Sequence, residues 1–259
     1  MEKDFILNEG NLPISCRVSI PEDGNIRRIV LGVHGIGGCM NDTIQESIAE
    51  EMEMFNSVTY RFDFPAHGSS PLESEDFTLD NCTRSLLAVA RHARQSYPEL
   101  EDLCIFATGF GAYIALLCVG ELFEEIVNLR LVVQTPSVMM HETLLSMARV
   151  SRETLWAMDK VLINAPNRPL TVNYRFYEDL LQNIALTSYP LPMLILMGEE
   201  DSYIRMADIQ QFRRINERSK LVVISGAGHQ FLEEGAWDMV LELTRDWFAN
   251  EQVYLCDWE

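Results

Sequence analysis

The chain has 259 residues, 47% of them hydrophobic, enough to bury one large core as a single α/β domain. Lys and Arg number 20 against 39 Asp and Glu, a formal net charge of −19, which argues against nucleic acid and anionic membranes as partners. No uninterrupted run of about 18 apolar residues occurs, so no membrane span is expected.

In chain order, Lys3–Asn8 and Ile14–Ile20 read as strands; residues 15–20 alternate at period two, and Pro21-Glu22-Asp23-Gly24 turns the chain. Arg28–Val33 is continuously apolar after its first residue, the pattern of a strand covered on both faces. It stops at His34-Gly35-Ile36-Gly37-Gly38. Asp42, with Gln45 three residues on, predicts a capped helix to about Met54. Val58–Phe62 is the next strand, followed by the loop from Asp63 to Ser70. Leu79, Cys82, Leu86, Val89 and Ala93 recur at three and four, predicting a helix over Leu79–Ser96. Leu103–Ala107 is a strand, Ala112–Val119 a helix apolar nearly all round, and Leu129–Val133 another buried strand.

Residues 139–188 interrupt this rhythm. Met140–Lys160 reads as helix, Asn164–Pro169 as turn and Leu170–Phe176 as a short hairpin arm. The alternation resumes with a strand at Met193–Met197, a helix at Ala207–Asn216, a strand at Leu221–Ile224 and an amphipathic helix at Glu234–Ala249. The fold class is therefore α/β, a mostly parallel sheet of about eight strands covered by helices. Residues 1–138 and 189–259 form the core. The 139–188 insertion is expected to cap the carboxyl edge of the sheet, where open α/β sheets place their ligands.

The six cysteines, Cys16, Cys39, Cys82, Cys104, Cys118 and Cys256, include no CxxC pair and no metal-ligand spacing. They read as reduced, packed thiols of a cytoplasmic protein, and Met1-Glu2-Lys3-Asp4 lacks the layout of a secretory signal. The glycines of His34–Gly38 lack the spacing and acidic partner of a dinucleotide fingerprint. No cofactor and no metal are expected.

Chemistry gathers at loops that follow strands. Ala107-Thr108-Gly109-Phe110-Gly111 has the small-x-nucleophile-x-small frame of a nucleophile elbow, a sharp strand-to-helix turn whose middle residue stands at the sheet edge. That middle residue is Gly109, which has no side chain to attack with. Met197-Gly198-Glu199-Glu200-Asp201 places a carboxylate after a later strand, and Gly226-Ala227-Gly228-His229 places an imidazole after the last one.

The order nucleophile turn, acid, histidine resembles that of the α/β-hydrolases. His34-Gly35-Ile36-Gly37-Gly38 is similar to the family's HGxxG oxyanion loop. Asp63–Ser70 resembles its DxxGHGxS loop, with Pro65 and Ala66 as departures. Gly198–Asp201 and Gly226–His229 match its GxxD and GAGH segments. With an insertion after the sixth strand, the chain looks most like the feruloyl-esterase and serine-aminopeptidase-like branch. The resemblance implies His229 as general base, Asp201 as its orienting acid, and the backbone N–H groups of Ile36 and Phe110 as an oxyanion hole. It implies a small acyl ester or amide-like ligand, and Gly35, Ser137, Trp156, Tyr174 and Phe176 as candidates to bind it. A plain core for the insertion explains its aromatic residues equally well.

At Gly109 the resemblance fails. Thr108 is expected to point away from the apex, Ser137 reads as a turn residue and Cys39 as a packed thiol. His34 and His67 read as loop-structuring residues, His92 and His141 as surface or packing ones. Three readings stand on the residues: a serine-type esterase inactive or severely impaired for want of its nucleophile, a non-catalytic binding protein, and His229 with Asp201 acting through an activated water.

Overall fold

The apolar runs spaced through the chain pair into one sheet. The computed structural model describes residues 1–22, 24–163 and 167–249; Asp23, the 164–166 part of the expected turn, and Cys256 lie outside the described residues. The strands are β1 (Glu2–Glu9), β2 (Leu12–Ser19), β3 (Arg28–Val33), β4 (Ser57–Phe62), β5 (Asp102–Thr108), β6 (Asn128–Gln134), β7 (Lys160–Ile163), β8 (Leu170–Asn173), β9 (Met193–Gly198) and β10 (Lys220–Ile224). The helices are α1 (Thr43–Met54), α2 (Leu79–Ser96), α3 (Gly109–Glu125), α4 (Met140–Ala148), α5 (Arg152–Met158), α6 (Tyr174–Gln182), α7 (Met206–Ile215) and α8 (Ala236–Ala249).

Eight strands form the main sheet in the order β1-β2-β4-β3-β5-β6-β9-β10. The β1–β2 and β2–β4 pairs are antiparallel and the rest parallel. Period-two alternation sorts the side chains between two faces. Ile29, Leu31, Leu103 and Ile105 pack with Leu86, Val89 and Ile114 of α2 and α3. Val30, Cys104, Phe106 and Val132 pack with Ile48 and Met52 of α1 and Val240, Trp247 and Phe248 of α8. Arg130, buried on that second face, donates to Phe248 O at 2.6 Å and ties α8 to β6.

Local signals explain most boundaries. Asp42 caps α1 by accepting from Gln45 N at 2.9 Å; the Gln45 side chain is buried and makes no return bond. Thr78 caps α2 through Asn81 N. The helix expected from Ala112 begins three residues earlier, because the elbow residue Gly109 is already its first helical residue.

The insertion departs most from expectation. The single helix predicted over Met140–Lys160 is broken where Arg149 takes a left-handed φ of 54° as the C-cap of α4, and Lys160 already belongs to β7. The arm predicted over Leu170–Phe176 ends at Asn173, whose side chain accepts from Phe176 N at 2.9 Å and starts α6. β8 pairs antiparallel with β7 apart from the main sheet. Arg168 fastens the insertion to the loop after β4 by donating to Ser70 O at 3.0 Å and to the Glu73 carboxylate at 2.6 Å.

Candidate active site

Two glycines of the elbow serve opposite ends. A Cβ on Gly111 would stand 2.4 Å from His34 O and 2.7 Å from Val33 O, so only glycine lets α3 start against the end of β3. Gly109, at the apex, has φ +49° and open space beside it; a Cβ there would meet nothing closer than His229 Nε2 at 3.9 Å and Gly35 Cα at 4.0 Å. Glycine adopts this backbone freely, whereas an L side chain holds it at a strain of about 1–2 kcal/mol.

The acid and the imidazole are brought together by a second close approach. A Cβ on Gly198 would lie 2.4 Å from Ala227 O, so glycine at the end of β9 allows its loop to touch the loop after β10. Glu200 N donates to Ala227 O at 2.9 Å across that contact. Asp201 Oδ2 then accepts from His229 Nδ1 at 2.7 Å, while Oδ1 accepts from the N–H groups of Tyr203 at 2.8 Å and Ile204 at 2.9 Å. The Asp201 side chain is inaccessible to solvent. Burial pushes its carboxyl up, but the His229 hydrogen bond and charge and the two backbone donors outweigh it and hold the group below the ordinary range. A carboxylate can only accept, so the His229 proton sits on Nδ1 and the basic Nε2 is left toward Gly109.

The loops after β3 and β4 lock together through buried histidines. His34 Nδ1 donates to Gly35 O at 2.7 Å and its Nε2 accepts from Phe64 N at 3.1 Å. His67 Nδ1 donates to Pro65 O at 2.9 Å, and the two rings lie 5.1 Å apart. Asp63 accepts from Met40 N and Ser69 N, both at 2.7 Å. Burial pulls His34 down to about 4 and His67 down to about 3, and pushes Asp63 up to about 6.

These shifts carry a pH dependence. An unfolded chain protonates both rings near pH 6.5, before the folded chain does, so acidification below 6.5 favours unfolding by up to about 1.4 kcal/mol per pH unit for each ring. Asp63 works the other way between about 6 and its ordinary 3.8, offsetting part of the loss. The urea midpoint is therefore expected to fall from pH 7 to pH 5; a flat profile across that range would contradict the burial argument.

Gly109, Phe110, Gly35, Ile36, Ser137 and His229 all border one cavity of about 630 Å³. The Phe110 N–H lies in the first turn of α3, where backbone donors lack helical partners. Ser137 N donates to Gly109 O at 3.3 Å. Met140, Met147 and Ile163 of the insertion supply apolar lining, as do Ile44 and Leu232 of the core.

The aromatic candidates do not line this cavity. Trp156 is 67% exposed, because only Leu155 of α5 turns inward. Tyr174 leans on Tyr177 at 5.7 Å and takes Arg152 on its hydroxyl. Phe176 is buried among Phe77 and Phe110, with ring centroids at 4.8 and 6.3 Å. Cys39 is buried, its thiol pushed up chiefly by burial, and it meets Asn167 Nδ2 at 3.4 Å. Sequence reasoning passed over Gln134, Thr135 and Tyr203, which also border the cavity. The signal available was a glutamine closing a strand directly after the apolar run Leu131, Val132 and Val133.

Among the described residues, no group of His, Cys, Asp and Glu could hold a metal ion, and no helix is long and apolar enough to cross a membrane.

Solved structures share this architecture. Est1E from Butyrivibrio proteoclasticus, with ferulic acid bound, superposes with a TM-score of 0.80 at 19% identity, covering 93% of this chain and 96% of that one. The esterase Pf2001 of Pyrococcus furiosus gives 0.68 at 19% identity, covering 96% and 94%. Mouse alpha/beta hydrolase domain-containing protein 10 gives 0.73 at 12% identity, covering 94% and 97%. No curated protein matches the sequence. Residues 30–243 match the alpha/beta hydrolase family as a sequence, and with the strand order, the elbow and the loops after β9 and β10 already described, the chain belongs to that family.

Proposed function

We propose that this protein keeps the acyl-binding apparatus of an esterase-like α/β-hydrolase and lacks its covalent chemistry. It takes a small acyl ester or amide-like ligand beneath a cap formed by residues 139–188. In this reading His229 and Asp201 are the base and its orienting acid, the amides of Ile36 and Phe110 the oxyanion hole, and Gly109 the vacated nucleophile position. The observation that carries it is Gly109: a left-handed apex with free space on its side-chain face and His229 Nε2 3.9 Å from where a Cβ would begin. Removing such a nucleophile lowers turnover by roughly six orders of magnitude, leaving about 10³–10⁴ over water from the hole and from binding. The branch resemblance to feruloyl esterases is supported by the fold shared with Est1E, and the apolar lining by Met140, Met147 and Ile163 suits an acyl chain or ring.

A second reading draws on the basic Nε2 facing the same space: a water held there would be deprotonated by His229 and add directly to a bound carbonyl, with no acyl-enzyme. A fluorophosphonate probe tests the main reading. The protein is expected to remain unlabelled, and Gly109→Ser to label at residue 109. Labelling of the unsubstituted protein would overturn the missing-nucleophile reading. Ester hydrolysis by the unlabelled protein that His229→Ala abolishes would favour the water route.

A further inference from the structure

A second cavity, of about 200 Å³, adjoins the first. Ser137, Thr143 and Tyr203 border both, so these side chains stand between the two spaces. Ser137 lies beside the elbow, its N–H donating to Gly109 O at 3.3 Å. Ser137 and Thr143 are 3% and 8% exposed; among the described residues neither hydroxyl has a hydrogen-bond partner, and neither oxygen is sealed from solvent. Hydroxyls this deeply set, unmatched and still reachable suit a polar ligand group that passes between the spaces. Tyr203 completes the partition, its ring 5.1 Å from that of His229.

Charge distinguishes the second space. No Lys or Arg borders the first cavity. The second is bordered by Glu142, from α4 of the insertion, and by Arg205 and Asp208 at the start of α7. Arg205 donates from Nε and Nη2 to the two Asp208 oxygens at 2.8 and 3.0 Å, and Nη2 also meets Glu142 Oε2 at 2.7 Å. One guanidinium thus serves two carboxylates, and Glu142 Oε1 is left without a cation. His141 Nε2 stands 3.9 Å from that oxygen, beyond hydrogen-bonding distance, and burial holds the ring below its ordinary value, so it brings no charge at pH 7. A carboxylate oxygen without a cation, near free hydroxyls, selects a positive group with several N–H donors. The formal charge of −19 on the chain favours the same sign.

We propose that this second cavity binds a primary ammonium group, carried on a short tether from the heteroatom of an acyl amide or ester whose carbonyl lies at Gly109. This rests on the reading of the first cavity as an acyl-ligand site and names the other half of its ligand. The acyl part keeps the apolar lining of the first cavity, and the amine passes Ser137 and Thr143 to reach Glu142 Oε1. A carboxylate on the same tether is repelled there, and an alkyl tail leaves the hydroxyls and the oxygen unmatched.

Calorimetric titration at low ionic strength with N-(2-aminoethyl)benzamide, N-(2-hydroxyethyl)benzamide, N-propylbenzamide and hippurate tests this. The amine is expected to bind about fivefold more tightly than the propyl analogue, the scale of one partly exposed ion pair, and hippurate most weakly. In about 0.5 M salt the preference is expected to shrink toward unity. Glu142→Gln is expected to erase it, while Glu99→Gln, the same charge change on an exposed residue before β5 at the opposite edge of the sheet, keeps it. Equal affinities, no saturable binding of any of the four, tightest binding of the hydroxyethyl analogue, or a preference that survives salt or Glu142→Gln would each overturn the proposal. So would its loss in Glu99→Gln, which would make it an effect of overall charge. The ligand and salt comparisons need no variant, so misfolding of Glu142→Gln does not remove the test. Aryl-ester turnover by Gly109→Ser separates the two claims. Turnover without an ammonium preference leaves the acyl-site reading and removes the second cavity from it. An ammonium preference with an inert, folded Gly109→Ser supports the second cavity and removes the acyl-transfer reading instead.

Discussion

Gly109→Ser is expected to turn this protein into a measurable aryl esterase, raising turnover of p-nitrophenyl acetate by about 10³ to 10⁶ over the unsubstituted chain. The geometry asks for nothing else. A serine Cβ would occupy free space 3.9 Å from His229 Nε2, and one more bond brings Oγ into hydrogen-bonding reach of that nitrogen. Nε2 is the basic nitrogen because Asp201 holds the proton on Nδ1 at 2.7 Å. Adding Asp201→Asn to the serine variant should then remove most of the gained rate, up to about 10⁴, through loss of the correct tautomer. The gain carries a stability cost. Serine at φ +49° adds about 1–2 kcal/mol of backbone strain, read as a lower urea midpoint. A folded Gly109→Ser protein with no more turnover than its parent would show that the imidazole and the apex are not productively aligned.

Gly111→Ala is expected to unfold or cripple the protein, with a loss above about 3 kcal/mol. The added methyl would meet His34 O at 2.4 Å and Val33 O at 2.7 Å. Both are backbone atoms at the end of β3, so relief requires moving either that strand or the start of α3. Gly120 in the same helix provides the contrast: it is exposed, and a Cβ there meets nothing within 4 Å. Gly120→Ala should gain about 0.5–1 kcal/mol. Denaturant midpoints of the two variants check the pair; equal midpoints would mean that α3 is not pressed against β3.

Much of this arrangement was legible in the sequence, for identifiable reasons. Buried parallel strands carry long apolar runs, so Arg28–Val33 was placed with its observed limits. Leu79–Ser96 carries a full apolar stripe and a Thr78 cap, and its observed limits coincide as well. The apex at Gly109 and the loops bearing Asp201 and His229 follow from small residues at strand ends, where close backbone approach leaves little choice. The insertion was harder to read. Its elements are seven to nine residues in the helices and four in the strands, too short for a periodic pattern to declare itself. Arg149 ends α4 in a left-handed conformation without a glycine to announce it. Aromatic content misled for the same reason: Trp156 sits on a helix that buries one residue, and Phe176 fills the layer under the elbow rather than the cavity. Gln134 was hidden by its position, since one polar residue at a strand end reads as a boundary.

The sheet order has a consequence for how this site fails. Among the described residues β10 is the last strand and pairs with β9 alone; most of its residues are at least partly open to solvent, Val223 at 43%. The imidazole therefore rides on the margin of the sheet, while the apex Gly109 and Gly111 follow directly from β5, which is flanked on both sides. Fraying is cheapest at such margins. A partial opening that peels β10 would carry His229 away from Asp201 and leave the cavity floor standing, so the capacity to move a proton would be lost before the capacity to hold a ligand.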